Sequence, residues 1–424
     1  MKVAIIGYGV EGTSAEAYWL AKGDHVTIRD AKDGPDYLDN LDQFDLIVRT
    51  PSLRPDELTQ RGIDPAKITS VVAETLAESP ALIIGVTGTK GKGTTSTLIA
   101  KILQAAGNKV WLGGNIGIAP LDFLPQVSAD DIIVLELSSY QLMDLRVSPQ
   151  IAVCLMLAPD HLNWHRDMAE YIEAKSSIFR YQEAGDLAIY KAGDELATKI
   201  SGYSSGQHLP YGSAPGAEIR DGQVVIGGVN IIAVGQVGLR GPHNLENICA
   251  AVTATWELVG HDPEPVRAAI AAFAGLEHRL EIVRMLGGVT YVDDSFATTP
   301  ETAMAAIKSF TEPKVMILGG SDKGASYGEL ARAVASGNVI HVLLIGDTAA
   351  AIADALRDVG YDHFTLVQWQ GMKALVETCR QITEPGDFVL LSTACASFGL
   401  FSNYKDRGEQ FAAAVRQIGH PINI

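Results

Sequence analysis

Only four cysteines occur in 424 residues, Cys154, Cys249, Cys379 and Cys395, and they stand far apart with no CxxC pair. That leaves no sign of a disulfide framework or a zinc knuckle and points to a reducing cytoplasm. Long apolar runs are missing too. From Met1 the chain passes through a short hydrophobic stretch into Gly7, too short for a signal sequence or for a membrane span of about 20 residues. Positive charge is scarce: 33 Lys plus Arg face 50 Asp plus Glu, a net −17. A chain that grips a nucleic-acid backbone usually carries a basic face, so no nucleic-acid partner is expected. An anionic small substrate is still compatible, because a few local Lys, Arg and backbone N–H groups can hold it against the overall field. There is no short-period repeat, heptad seam or low-complexity segment, which argues against solenoids and coiled coils.

What is present is ordinary globular composition, 47% hydrophobic and 20% charged with 42 Gly and 18 Pro, enough for two to four cores at roughly 100–200 residues each. KVAII (2–6), a glycine-rich turn, a helix through SAEAYWLAKG and HVTIRD make a βαβ start, with DLIVRT (45–50) as the next strand. A new strand, loop and helix begin near Ser79-Pro80. Buried-type strands then alternate with helices: KVWLGG, DIIVLELSS, IAVCLMLAP, DLAIY. This alternation predicts a doubly wound parallel sheet. Short Gly-punctuated β runs over 200–240 predict a small antiparallel flap, closed by the helix NLENICAAVTATWELVG. After LEHRLEIVRMLGG, a third set (VTYVDDS, KVMILGG, HVLLIGD, FTLVQW, DFVLLST) runs on toward the C-terminus. The expected fold is α/β in three domains. Residues 1–80 are Rossmann-like, 81–277 form a P-loop ATPase-like parallel sheet with the flap, and 278–424 are again Rossmann-like.

Two glycine loops carry the chemistry. GVTGTKGKGTTSTLIAKIL follows the strand LIIGV and enters a helix, where backbone N–H groups and the positive helix end can surround a polyphosphate. Lys92 would reach the outer phosphates. The usual GxxxxGK[ST] is not met: Val86 stands where the first Gly belongs and Gly93 follows Lys92, leaving Thr94 as the hydroxyl for Mg2+. ATP or GTP binding is a better reading of three Gly, two Lys and three Thr over residues 88–95, at a helix start, than an incidental turn. The second loop, Gly7-Tyr8-Gly9-Val10-Glu11-Gly12, matches GxGxxG, with Asp30 about 20 residues on. It suits the pyrophosphate of a nucleotide-linked substrate, a dinucleotide, or a purely structural turn.

Glu136 ends DIIVLELSS, and Asp160 and His161 follow IAVCLMLA, so all three face the carboxyl edge of one parallel sheet, where the phosphate loop also opens. Such a group can hold Mg2+ between phosphate oxygens and a second anion. By themselves, Lys175 reads as a solvated lysine, His165 as a loop histidine, and Ser397 and Tyr404 as loop residues.

Taken in order, TGTKGKGTT, GGNIG (113–117), ELSSYQL (136–142), DHLNWH (160–165), EAKSSIF (173–179), GPHNLENICAA (241–251), EHRLE (277–281), DDSFATT (293–299), LGGSDKG (318–324) and STACASFGLFSNYKDRGEQF (392–411) resemble the Mur ligase family of ATP-dependent amide-forming enzymes, in particular its D-glutamate-adding branch. The match spans essentially the whole chain. The resemblance implies an ADP-forming ligase of peptidoglycan precursor synthesis that joins D-glutamate to UDP-N-acetylmuramoyl-L-alanine through an acyl phosphate. It implies that Gly88, Thr89, Lys90, Gly91, Lys92, Gly93, Thr94 and Thr95 bind ATP phosphates, with Asn244, Asn247, Arg279 and Asp294 around the adenosine. Two Mg2+ ions would be held by Thr94, Glu136, His161 and Lys175, the last as a carbamate, which reverses the bland reading of that lysine. Lys92, His161 and Lys175 would be catalytic. Gly9, Val10, Glu11, Asp30, Asn115, Ser138 and Gln141 would face the UDP-sugar, and Thr298, Lys323, Ser397, Phe398 and Tyr404 the amino acid. Phe296 departs from the branch, which usually has Lys there, and GKGTT resembles folylpolyglutamate synthase more than the muramyl ligases. The implied partners are small molecules only, the implied state a cytoplasmic monomer. Rival readings are a sister muramyl ligase of other amino-acid specificity, a folylpolyglutamate synthase-like ligase, an NAD-dependent dehydrogenase from Gly7–Gly12 alone, and a non-catalytic nucleotide-binding regulator from the P-loop alone.

Overall fold

A computed structural model describes residues 1–239, 241–322 and 324–418. The chain divides into two compact units, Met1–Ala274 and Gly275–Ile424. In the first, β1 (Lys2–Ile6), β2 (His25–Arg29), β3 (Leu46–Arg49) and β4 (Ile68–Thr69) form a parallel sheet in the order β2-β1-β3-β4. A second parallel sheet contains β5 (Leu82–Thr87), β6 (Val110–Gly114), β7 (Ile132–Glu136), β8 (Ile151–Cys154), β9 (Leu187–Lys191) and β10 (Gln207–Tyr211), ordered β10-β9-β8-β5-β7-β6. β7 and β8 are buried at every residue, as expected for parallel strands covered on both faces. That burial is why they read as unbroken apolar runs.

The antiparallel flap is a three-stranded sheet of β11 (Glu218–Arg220), β12 (Gln223–Ile226) and β13 (Val229–Ala233). It is smaller than the 200–240 region expected for it, because β10 pairs in parallel with β9 and extends the main sheet instead.

The second unit holds β14 (Glu281–Leu286), β15 (Val289–Asp293), β16 (Lys314–Gly319), β17 (Val339–Ile345), β18 (Phe364–Leu366) and β19 (Phe388–Leu391), in the order β14-β15-β19-β16-β17-β18. Alternation along β15, β16 and β19 sends Val292, Met316, Leu318 and Leu390 to one core and Tyr291, Val315, Ile317, Val389 and Leu391 to the other, the period of 2 expected of a two-faced sheet. β14 was not anticipated. It runs antiparallel to β15 at the edge, so the sheet is mixed, and its half-exposed EIVRML pattern lacks the apolar run that marks the other strands. No helix among the described residues is long and apolar enough to cross a membrane.

Within the first unit, Trp19, Val3, Ile5, Val48 and Val71 share one core with Leu121 and Leu124, joining the two sheets' surroundings. Arg49, at the end of β3 and with no exposed surface, reinforces the joint. Its Nε and Nη2 grip Asp144 Oδ2 and Oδ1 at 2.8 and 2.5 Å, Nη1 donates to Leu53 O at 2.9 Å, and Nη2 donates to Tyr140 O at 3.0 Å. A buried arginine is tolerated because each face of its fork meets an acceptor. Arg49→Met removes those donors and strands the Asp144 charge, so we expect a loss of about 3 kcal/mol of stability in urea denaturation followed by tryptophan fluorescence; an unchanged midpoint would show the clasp to be energetically neutral.

Candidate active site

The phosphate loop joins β5 to the helix Lys92–Ala105. Two of its glycines are required by backbone shape and by crowding. Gly88 (φ +147°) and Gly91 (φ +89°) adopt conformations that suit residues without a Cβ, and a Cβ would fall 2.6 Å from Leu155 Cβ at the first and 2.2 Å from Asn247 Oδ1 at the second. Thr89 anchors the turn through its N–H to Met156 O (2.9 Å) and its hydroxyl to Ala158 O (3.0 Å). No side chain caps the following helix, which leaves its first N–H groups available to an anion. Lys92 Nζ donates to Gly88 O and Thr89 O, both at 3.1 Å. Thr94 lies in the first helical turn, and Thr95 Oγ1 is buried with no hydrogen-bond partner among the described residues.

Around this loop the second sheet gathers the expected groups on its carboxyl edge. Glu136, at the end of β7, is buried and accepts from Asn115 Nδ2 at 2.7 Å. Asp160 Oδ2 lies 3.2 Å from Lys90 Nζ and 3.8 Å from His161 Nε2, and His161 takes a left-handed φ of +55°, uncommon for a residue with a Cβ. Lys175 comes from the helix Met168–Arg180 and is not the solvated lysine its bare sequence context suggests. It is buried, and its Nζ donates to Gly88 O at 2.9 Å and Thr87 Oγ1 at 3.1 Å, 4.9 Å from the Tyr171 ring centroid. Desolvation, then the neighbouring Lys92 charge, holds its pKa well below the ordinary lysine value, while Cys154, Asp160 and Glu136 oppose. Burial likewise lowers the His161 pKa, with Asp160 opposing and Lys92, Lys175 and Lys90 adding to the effect. His165 is buried, its Nε2 2.8 Å from Ser139 Oγ. Asn247, in the helix Pro242–Thr255, packs on Gly91 and donates to Asn244 Oδ1 at 3.1 Å.

The N-terminal loop is built differently. Gly7 lies against Thr50 and Gly12 against Gly7 O, where any Cβ would clash, whereas Gly9 faces open space. Asp30 is spent on the loop itself, accepting Tyr8 N–H at 2.7 Å. Val10 is exposed. Glu11 accepts from Gln141 Nε2 at 2.7 Å, and Ser138 N donates to Gln141 Oε1 at 3.0 Å, so Glu11, Gln141 and Ser138 form one chain of contacts between the first loop and the edge of the second sheet. Burial raises the Glu11 pKa despite Gln141 and Arg49. Asn115 stands apart from this chain, with Glu136.

In the second unit, the Arg279 guanidinium sits 4.9 Å from the Phe296 ring, which meets Tyr404 edge-on at 5.4 Å. Asp294 accepts from Ser392 Oγ at 2.6 Å and Leu280 N at 3.2 Å, and burial pushes its pKa up to about 7. Ser397 is buried, Thr298 half-buried and Phe398 exposed; Lys323 lies outside the described residues. Sequence reasoning missed two supports. Arg407 is fully buried and ties Ser295 Oγ and O, each at 2.8 Å, to Cys395 O at 3.1 Å. His278 Nδ1 meets Asp293 Oδ2 at 2.7 Å. Both lie inside quoted motifs, but nothing in their spacing marks them as buried. In the first unit Arg49, Arg54 and Thr87 were missed likewise.

A glycine-cradled anion loop, two lysines on one carbonyl and a carboxylate and an imidazole on the same sheet edge define an enzyme of nucleotide-phosphate chemistry. The chain belongs to the Mur ligase family, ligases that form amide bonds with ATP: the Mur ligase middle domain matches residues 86–255 and the Mur ligase, glutamate ligase domain matches residues 278–395. It is 33% identical to the UDP-N-acetylmuramoylalanine–D-glutamate ligase of Clostridium kluyveri and 34% identical to that of Clostridium tetani, covering 98% of this chain and 97% of each relative. In fold it is similar to the UDP-N-acetylmuramate–alanine ligase of Thermotoga maritima (TM-score 0.60, 19% identity, 98% of this chain and 99% of that one). It is also similar to the MurF ligase of Thermotoga maritima solved in complex with ADP (TM-score 0.56, 16% identity, 88% and 89%).

Two outcomes follow from this geometry. Gly91→Ala drives a Cβ into Asn247 and strains the loop, so nucleotide affinity measured with a fluorescent ATP analogue should fall at least about tenfold, or about 1.4 kcal/mol, with an unchanged circular dichroism spectrum. Asp294 has a folded pKa near 7 against an unfolded value of about 3.9, so the folded state binds the extra proton between these values and the carboxyl's contribution to stability declines as pH rises through that window. The stability of Asp294→Asn relative to the parent should therefore improve from about pH 4 to about pH 7 and then level off; parallel melting-temperature curves would contradict the burial argument.

Proposed function

We propose that this protein joins D-glutamate to UDP-N-acetylmuramoyl-L-alanine in the cytoplasm, as a monomer, at the expense of ATP. The observation that carries the reading is the convergence of Lys92, Lys175, Glu136 and Asp160 on the glycine loop, in a chain aligned end to end with relatives named for that reaction. Residues 1–80 would bind the UDP-substrate, 81–277 ATP and 278–424 the amino acid.

A carboxylate does not react with an amine at useful rates. Here the acceptor's terminal carboxylate oxygen attacks the γ-phosphorus, ADP leaves, and the resulting acyl phosphate is attacked by the neutral amine of D-glutamate with release of inorganic phosphate. Carboxylate and triphosphate repel each other, and Lys92 offsets that repulsion where charge builds. The loop amides of Gly88–Thr95 hold the polyphosphate, with Asn244, Asn247, Arg279 and Asp294 around the adenosine. Asp160, beside Lys90, would take the proton from the attacking ammonium, with His161 as the alternative base where it is not holding metal. Gly9, Val10, Glu11, Asp30, Asn115, Ser138 and Gln141 would face the UDP-sugar, although the Asp30 carboxylate already serves its own loop. Thr298, Lys323, Ser397, Phe398 and Tyr404 would receive the amino acid.

The donor set fits magnesium. Thr94 and Glu136 offer hard oxygen donors and His161 a nitrogen, and the Thr95 hydroxyl in the same helical turn is buried with no hydrogen-bond partner among the described residues. Lys175 fits only if modified: two ammonium groups on one carbonyl are costly, and the deprotonated amine is the form that adds carbon dioxide to become an anionic carbamate. Thr94, Glu136, His161 and carbamylated Lys175 would hold two ions. Magnesium, when bound, would supply positive charge against the phosphate oxygens.

The test is inorganic phosphate release with ATP, Mg2+, UDP-N-acetylmuramoyl-L-alanine and a panel of D- and L-amino acids. D-Glutamate alone should give strong turnover. An equal response to L-amino acids would defeat the specificity claim, and turnover with a folate acceptor instead would move the chain to the folylpolyglutamate chemistry.

A further inference from the structure

Between the end of β8 at Cys154 and the helix that starts at Met168 lie thirteen residues outside any strand or helix. They include Asp160 and His161. Such a segment keeps its shape only if something outside it does the holding. Its own backbone contributes one turn, with Trp164 N and His165 N both donating to His161 O at 3.0 Å. One further support comes from an unexpected side, the stretch that follows β3 of the first sheet.

Arg54 ends that stretch. Its side chain is largely buried, 17% exposed, and makes five hydrogen bonds. Nη1 donates to Trp164 O at 2.6 Å and Glu170 Oε2 at 3.2 Å, Nη2 donates to Glu170 Oε1 at 2.7 Å and Asp56 Oδ2 at 3.3 Å, and Nε donates to Asp56 Oδ1 at 2.9 Å. The guanidinium also lies 5.0 Å from the Trp164 ring centroid, within cation–π range. Trp164 in turn packs edge-on against Tyr140 at 4.4 Å, and the Tyr140 ring lies 5.0 Å from that of His161. Glu170 belongs to the first turn of the helix that carries Lys175. One guanidinium therefore holds both the loop bearing His161 and the helix bearing Lys175. At its other end the same stretch starts at Thr50, whose hydroxyl donates to Ile6 O at 2.7 Å and fills the space beside Gly7.

We propose that Arg54 is a positioning residue for the 160–165 loop: from the first sheet it sets where Asp160 and His161 stand relative to the phosphate loop. This rests on the function proposed above, but only for its catalytic consequence. The geometry calls for arginine in particular, because five donors in a planar fork and a flat face for the indole cannot be supplied by an ammonium.

The experiment uses the full chain and three variants: Arg54→Met, Arg54→Lys and Glu170→Gln. Hydrogen exchange of the amides of residues 160–166, measured without metal or nucleotide, should be about tenfold faster in Arg54→Met, with the second unit unchanged. Arg54→Lys should lie close to Arg54→Met, and Glu170→Gln between them and the parent. The Mg2+ concentration for half-maximal phosphate release should rise by a similar factor, with kcat largely recovered at saturating Mg2+ and KM for the amino acid unmoved. A merely structural role would instead lower the melting temperature while leaving the metal requirement alone. Parent-like exchange and parent-like Mg2+ requirement in a folded Arg54→Met overturn the proposal, and if that variant does not fold, Arg54→Lys is judged by the same two readouts. Absence of phosphate release in the parent protein would sink the ligase reading, while the exchange rates would still decide the role of Arg54.

Discussion

The carbonyl of Gly88 accepts hydrogen bonds from two lysines, Lys92 and Lys175. Burial, and after it the neighbouring Lys92 charge, makes the deeper of the two amines, Lys175, yield its proton more readily. Asp160 and Glu136 oppose that effect without cancelling it. The loop glycines and the uncapped helix start add backbone N–H groups at the same place. Gly88 and Gly91 let the backbone turn its N–H groups inward, and Asn247 closes the space behind.

The rest of the first unit keeps that arrangement in place. Parallel strands covered on both faces put Thr87, Glu136 and Cys154 at one edge, because strand ends in a parallel sheet align. What projects beyond the edge is irregular, and irregular backbone has to be held by side chains. Arg49 and Arg54, both at or after the end of β3, do this from the first sheet, gripping Asp144, Tyr140, Trp164 and Glu170. The second unit uses the same device, with Arg407 binding the 294–298 turn to the 392–397 turn. In each case a guanidinium satisfies several carbonyls or carboxylates at once, which an apolar side chain could not do without leaving them unpaired.

How much of this was legible depended on whether a residue's role is local. The strands β5, β7 and β8 read plainly as apolar runs, and the two glycine loops read as turns between strand and helix. β10 was misassigned to the flap because pairing partners far apart in sequence leave no local trace. β14 went unseen because an edge strand with one wet face lacks the apolar run that marks its neighbours. Lys175 showed the limit best: on a helix written EAKSSIF it looks solvated, and only the resemblance to a family moved it into the site.

The sequence by itself determined the alternation of strands and helices, and with it the sheet edge on which a phosphate loop must open, because periodicity and glycine position act over a few residues. It also determined the order of motifs by which the family is known. Only the tertiary structure decided which polar groups are buried and what they touch: that Lys175 reaches Gly88, that Asp30 serves its own loop, that Arg54 crosses to Trp164. These pairings join residues from 22 to 110 positions apart, and desolvation, which sets the charge of a lysine or an aspartate, exists only once those residues have met.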